Sequence, residues 1–414
     1  MIDRHRALSL AALALVLALA YGIWYAYSVF MVTLLREFGW SRSLLAGAFS
    51  TFTVVHGASI PVMGWLCDRV RPERMVMGGG FALGLALTGV SFVATPSELY
   101  LFFGVFTAVA VASCGWVPAV IQVQRRFQDR MGFALGIVSS GVGLGMLLVV
   151  PLCQVLIDAF GWRIALRILG LICAACIVPC AIYLLRSAPT GSLAATSAGT
   201  RPVASANASA AVSLTLAQAM RTAPFWLIMA TFLFGGLASQ TLHVHQVAYL
   251  VDHGLSAMIG ASVVGVVGGA SMVAKIGGGW LSDRIDREFV FIGGISILIA
   301  SVVALTAVGR SPTVWGAYGY AVLLGVGYSV TASLTPVLTS DRFTGPHFGA
   351  IVGAGLLASA LGAAIGPWLA GFQFDLTGSY ALALIGVAVC GTVAGTTAWF
   401  ARRLRKSALQ MQVI

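Results

Sequence analysis

Read from charge to charge, the chain divides into long stretches with almost no charged residue. They cover about 7–35, 43–66, 75–97, 99–124, 131–157 and 164–185. Beyond a polar stretch at 187–220 they resume at about 222–251, 254–282, 289–309, 311–340, 343–374 and 376–401. Crossing the hydrocarbon core of a bilayer takes about 20 mostly apolar residues of helix, so each stretch is long enough to span. Only Arg167 and Lys275 interrupt these windows. Six runs, a spacer and six more runs predict an all-α integral membrane protein. The expected architecture is twelve transmembrane helices in two six-helix bundles, 1–186 and 221–414, joined by a linker at 187–220. The linker is rich in Ala, Ser and Thr, the composition of a flexible spacer.

The first run follows Arg4 and Arg6 and contains Ala18-Leu19-Ala20, the outline of a secretory signal. It continues apolar to Leu35, too long for a signal's apolar segment, and is read as the first helix. Basic residues then set the orientation, because cytoplasmic loops retain Lys and Arg. With the N-terminus inside, 18 of the 24 basic residues fall in inside segments. Five (Arg36, Arg42, Arg163, Arg167 and Arg310) fall outside, and Lys275 lies within the membrane. Both termini are therefore expected in the cytoplasm. On that side, the sequon Asn207-Ala208-Ser209 in the linker is read as chance.

Composition narrows the class. With 59% hydrophobic and 9% charged residues, the chain lacks the polar surface of a soluble domain. The net charge of +11 comes in short bursts between apolar runs, which is a topology signal and not a nucleic-acid patch. Most of the seven cysteines lie inside apolar runs without zinc spacing and read as small buried hydrophobes. No cofactor or metal is expected.

The halves repeat. Gly64-Trp65-Leu66-Cys67-Asp68-Arg69 and Gly279-Trp280-Leu281-Ser282-Asp283-Arg284 share five of six residues, 215 positions apart. Pro151 and Pro367, Asp158-x-x-Gly161 and Asp375-x-x-Gly378, and Pro118 and Pro336 recur at offsets of 216, 217 and 218. Duplication of a six-helix unit in one orientation is the mark of a two-bundle carrier. The Gly-x-x-x-Asp-Arg elements resemble the signature loop of the major facilitator superfamily. Finer motifs are similar to its bacterial monocarboxylate and oxalate/formate branch: Tyr27-Ser28-Val29-Phe30, Glu37-Phe38-Gly39-Trp40-Ser41-Arg42, Arg126-Phe127, Gly161-Trp162-Arg163, His245-Gln246-Val247-Ala248-Tyr249-Leu250 and Asp341-Arg342-Phe343. That resemblance implies a prokaryotic inner membrane and a small organic anion as substrate.

Candidate residues follow. An ammonium well inside a span is costly and normally faces the bundle interior, which singles out Lys275. It lies where the resembled branch has a substrate-facing arginine, so its implied role is to hold a carboxylate. The competing reading is a lysine that snorkels to the nearby surface. Ser271 stands where some monocarboxylate carriers have an aspartate, so their ion-pair switch is not carried over. His243 and His245 in helix 7, with His56 in helix 2 and Lys275 itself, are candidate proton carriers. Tyr25, Tyr27, Trp116, Gln122, Tyr249, Tyr328 and Thr331 lie on helices 1, 4, 7 and 10, which line the cavity in the resembled superfamily. Asp68 with Arg69 and Asp283 with Arg284 would latch the bundles together in one of two states.

The expected function is a secondary carrier for a small organic anion, foremost a proton-coupled monocarboxylate symporter acting as a monomer. The alternatives are an oxalate-type anion exchanger, a carrier of another solute, or a non-transporting sensor. A dianion site would want a second buried cation, for which Arg167 is the remaining candidate. No intramembrane catalytic cluster is evident in the sequence, so an enzyme is not expected.

Overall fold

The computed structural model describes residues 4–127, 130–187, 214–282, 284–340, 343 and 348–411. Among them the chain is almost entirely helical, without a strand. Twelve long helices run α1 (Arg4–Phe38), α2 (Arg42–Arg69), α3 (Pro72–Val90), α4 (Pro96–Arg126), α5 (Met131–Phe160) and α6 (Trp162–Arg186), then α7 (Ala223–Asp252), α8 (Ala257–Ser282), α9 (Arg287–Arg310), α10 (Val314–Ser340), α11 (Phe348–Thr377) and α12 (Ala381–Met411). Eleven are long and apolar enough to cross a membrane. The twelfth, α3, has 19 residues, opens on charged Glu73 and Arg74, and packs between α4 and α6. Most of the linker, and with it Asn207, lies outside the described residues, as do Asp283, Asp341 and Arg342.

Local chemistry explains the helix ends. Gly39 (φ 64°) closes α1, and the Ser41 hydroxyl caps α2 by accepting from the Leu44 N–H at 3.2 Å. Gly161 (φ 77°) makes the one-residue turn between α5 and α6. The positive-φ glycines of the second half, Gly254 and Gly378, sit 215 and 217 residues on, so the repeat extends to backbone conformation. Between α3 and α4 the helix expected to reach residue 97 stops at Val90, and Thr95 with Glu98 forms a capping box that restarts it. Within α4, Tyr100–Thr107 is wound as a π-helix and the helix breaks at Gly115.

Small residues bring backbones together inside each bundle. A Cβ at Gly145 of α5 would collide with the Ala18 carbonyl oxygen of α1, and one at Gly362 of α11 with the Leu233 carbonyl oxygen of α7. These two crossings are equivalent under the internal repeat. Between bundles, α2 packs on α11, α5 on α8, and α1 on α7. The contact is uneven along the membrane normal. Near the ends where α2 begins and α11 finishes, a Cβ at Gly371 would lie 2.8 Å from Arg42. At mid-depth, one at Gly57 would lie 3.2 Å from Ala360, and Gly143 meets Gly268 and Met272. Toward the end that carries both termini, positions 64, 132, 136, 279, 349 and 353 open onto empty space. Among the described residues the bundles are closed at one end and splayed at the other, which we call the latch end and the terminal end.

Candidate functional site

The seam between the bundles carries the polar groups. Tyr25 of α1 and Tyr328 of α10 join hydroxyls across it at 2.7 Å. The His243 ring sits edge-on between them, 5.0 Å from Tyr25 and 4.7 Å from Tyr328. His243 is 3% exposed, and neither ring nitrogen has a hydrogen-bond partner among the described residues. Nor do Gln240 Oε1, Trp24 Nε1 or either polar atom of Gln122. Buried polar atoms in native proteins are almost always satisfied, so a concentration of unsatisfied ones on α1, α4 and α7 marks a place for polar occupants. A cavity of about 230 Å³ opens beside them, lined by Ser239, Gln240, Tyr328, Thr331 and Ser359.

Lys275 does not line this cavity, but its helix packs against the cavity's α10 wall. Gly278, one turn along α8, packs on Val330, next to Thr331. The α8 face that meets Gly143 of α5 includes Gly268, Ser271 and Met272, and helical spacing places Lys275 on that same face. Among the described residues its ammonium has neither a hydrogen bond nor an ion pair. It is a half-buried, uncompensated cation beside the seam.

Other candidates fall elsewhere. Tyr27 turns into the first bundle, donating to the Leu45 carbonyl at 2.6 Å and stacking on Phe103, so it does not wall the seam. Tyr249 stacks on His253 at 4.2 Å near the latch end, its hydroxyl against Gly309. Trp116 is 40% exposed just past the α4 break. Thr331 stays at the cavity wall, with its hydroxyl donating to backbone carbonyls of its own helix. His56 is packed among Trp24 and Phe52 rings. Arg167 is exposed and bonded to Ser91 inside the first bundle, so it supplies no second buried cation. Arg69 stacks over Trp65 at 3.7 Å and Arg284 over Trp280 at 3.5 Å, the same local contact in both motif copies. Among the described residues the bundles are apart at that end, and no ion pair includes Asp68.

What closes the opposite end was not singled out by the sequence. The carboxylate of Asp375, at the end of α11, accepts the backbone N–H groups of Arg42 (2.9 Å) and Ser43 (2.8 Å) at the start of α2. The Arg42 guanidinium pairs with Asp252 of α7 at 2.8 Å, donates to the Tyr380 hydroxyl at 2.6 Å and lies 3.8 Å over the Phe374 ring. Burial pushes the Tyr380 phenol well above its ordinary pKa, so it stays a neutral hydroxyl. One arginine of the first bundle is thus gripped by three elements of the second. The only sequence signal was its place in the α1–α2 loop motif, where an arginine looks like ordinary anchoring.

The family model described as Major Facilitator Superfamily matches residues 13–367 and again 279–410. The chain is 29% identical to mouse Monocarboxylate transporter 11 over 391 residues, covering 91% of this chain and 82% of that protein. It is 26% identical to rat Monocarboxylate transporter 12, covering 88% and 78%, and 26% identical to bovine Monocarboxylate transporter 13, covering 89% and 82%. Among solved structures, it superposes on a bacterial homologue of the human lysosomal transporter Spinster, described as inward-facing and occupied. The TM-score is 0.74 at 16% identity, over 97% of this chain and 98% of that one. The inward-facing, unoccupied form of that homologue gives a TM-score of 0.67, over 97% and 95%.

Proposed function

Because this chain belongs to the Major Facilitator Superfamily and is a multi-pass membrane transporter, not an enzyme, we propose that it carries a small monocarboxylate together with a proton by alternating access. The observation that carries the substrate class is Lys275: a half-buried cation with no partner among the described residues, on the α8 face toward the seam and near a 230 Å³ cavity edged by hydroxyl and amide groups. A carboxylate there would gain charge-assisted hydrogen bonds in a low-dielectric setting. The named relatives, all monocarboxylate transporters, support the same class. The exposure of Arg167 removes the second cation that an oxalate-like dianion would want.

The 18 basic residues read as inside support placing the terminal side in the cytoplasm, and the resemblance to the bacterial branch supports a prokaryotic inner membrane. In this reading the splayed end faces inward and the Arg42 latch is external. Asp68 with Arg69 and Asp283 with Arg284 would engage when the molecule opens the other way. His243 and His245 are the proposed proton carriers, and the carrier works as a monomer.

Lys275→Ala tests the anion site. Binding of pyruvate or lactate to the purified protein should weaken about thirty-fold or more, the cost of removing one partner of a buried charged contact. Lys275→Arg should retain much of it. Unchanged binding in the alanine variant would remove Lys275 from the site.

A further inference from the structure

The latch is wired to a buried histidine. His245 Nε2 lies 2.8 Å from the Pro367 carbonyl of α11, and Nδ1 lies 2.9 Å from the Tyr380 hydroxyl. A carbonyl only accepts, so Nε2 carries the hydrogen and Nδ1 is the acceptor. Tyr380 therefore donates to Nδ1, and its oxygen accepts from Arg42 at 2.6 Å. Each bond that joins the series Asp252, Arg42, Tyr380, His245 and Pro367 pairs a donor with an acceptor, but only for a neutral imidazole. Tyr380 also lines a cavity of about 590 Å³ at the latch end, shared with Tyr249, Asp252, His253, Arg310 and Phe374. That cavity gives the relay a way in from outside.

We propose that this outer cavity is a proton entry site and that His245, reached through Tyr380, binds the proton that releases the Arg42 latch. A proton arriving at Nδ1 makes that nitrogen a donor facing a donor. Tyr380 must then turn its hydrogen away and find another acceptor. The nearest carboxylates, Asp252 and Asp375, already hold the Arg42 side chain and the start of α2. The new imidazolium also faces the Arg42 charge. The titratable and charged groups around the ring are Tyr380 ahead of α12, Asp375 of α11, Arg42 of α2, and Asp252 and Tyr249 of α7 itself. Tyr25 and Tyr328 face His243, two residues back. The latched arrangement prefers neutral His245 and the released one prefers it protonated, so the latch weakens as pH falls through the imidazole range. The inference rests on the reading of the chain as an alternating carrier, not on which solute it moves.

The test needs no substrate. Spin labels on Ser97→Cys and Ser311→Cys, exposed at the latch end of the two bundles, report its width in purified protein with Cys176, Cys180 and Cys390 replaced by serine. Between about pH 8 and about pH 5, the ratio of long to short distances should rise about tenfold or more, the worth of one charge-assisted bond. His245→Gln should abolish that dependence. Tyr380→Phe, which keeps the ring, should flatten it, and Arg42→Gln should give the long distance at both pH values. The same pH response in His245→Gln as in the parent, or none in the parent, would overturn the proposal. Neither result bears on whether the chain transports a monocarboxylate, which uptake measures separately.

Discussion

At the scale of single residues, one position was legible from sequence and its counterpart was not. Lys275 stands out because a charge inside an apolar run has no ordinary explanation, and the structure leaves it without a partner among the described residues. Arg42 sits at a helix start, where arginines are common, and only packing reveals Asp252, Tyr380 and Phe374 around it. Glu73 and Arg126 were equally hidden: both lie near helix ends, yet they form a 3.0 Å ion pair with side chains only 7% and 6% exposed. Arg126 also donates to the Leu184 carbonyl at 2.5 Å and to Ser187. Truncating one member of such a pair leaves an uncompensated buried charge. Arg126→Ala should therefore destabilise the protein by about 3–5 kcal/mol, read as a lowered unfolding midpoint in detergent. A midpoint unchanged from the parent would mean that water reaches Glu73.

At the scale of elements, the charge-to-charge reading located all twelve helices, because each span had to be uncharged and each connection had to be polar. It missed the early end of α3 and the π-helical stretch of α4, since apolar composition is blind to how a helix is wound. Small residues in α5 and α11 let neighbouring backbones cross closely, and the Gly145 and Gly362 crossings show which partners they serve. Gly362→Val would drive a side chain into the α7 backbone. It should cost about 1–3 kcal/mol or more and lower the thermal midpoint, whereas Gly349→Val, facing open space, should not. Equal losses from both would contradict the assigned crossing. Tyr27 shows the limit of helix-level reasoning, since a helix that lines a cavity still turns most of its residues elsewhere.

At the scale of the whole molecule, the internal repeat foretold two bundles but not which end would be closed. Sequence repeats are symmetric, whereas the contacts are not: Asp375 caps α2 across the seam, while its repeat-mate Asp158 binds Gln154 of its own helix at 2.7 Å. No ion pair among the described residues includes Asp68 in the splayed state, so its proposed work belongs to the opposite one. Asp68→Asn should then slow turnover while leaving substrate binding to the splayed state within about two-fold. Equal losses of binding and turnover would place Asp68 at the substrate and not at a gate. The central claim, a proton-coupled monocarboxylate carrier, is tested most directly by uptake into proteoliposomes under an imposed inward proton gradient, with labelled lactate, pyruvate, acetate, formate and oxalate. Accumulation of a monocarboxylate that disappears when the gradient is collapsed, and is absent with Lys275→Ala, is the predicted result. Folded protein that accumulates none of the five, or oxalate alone, would contradict it.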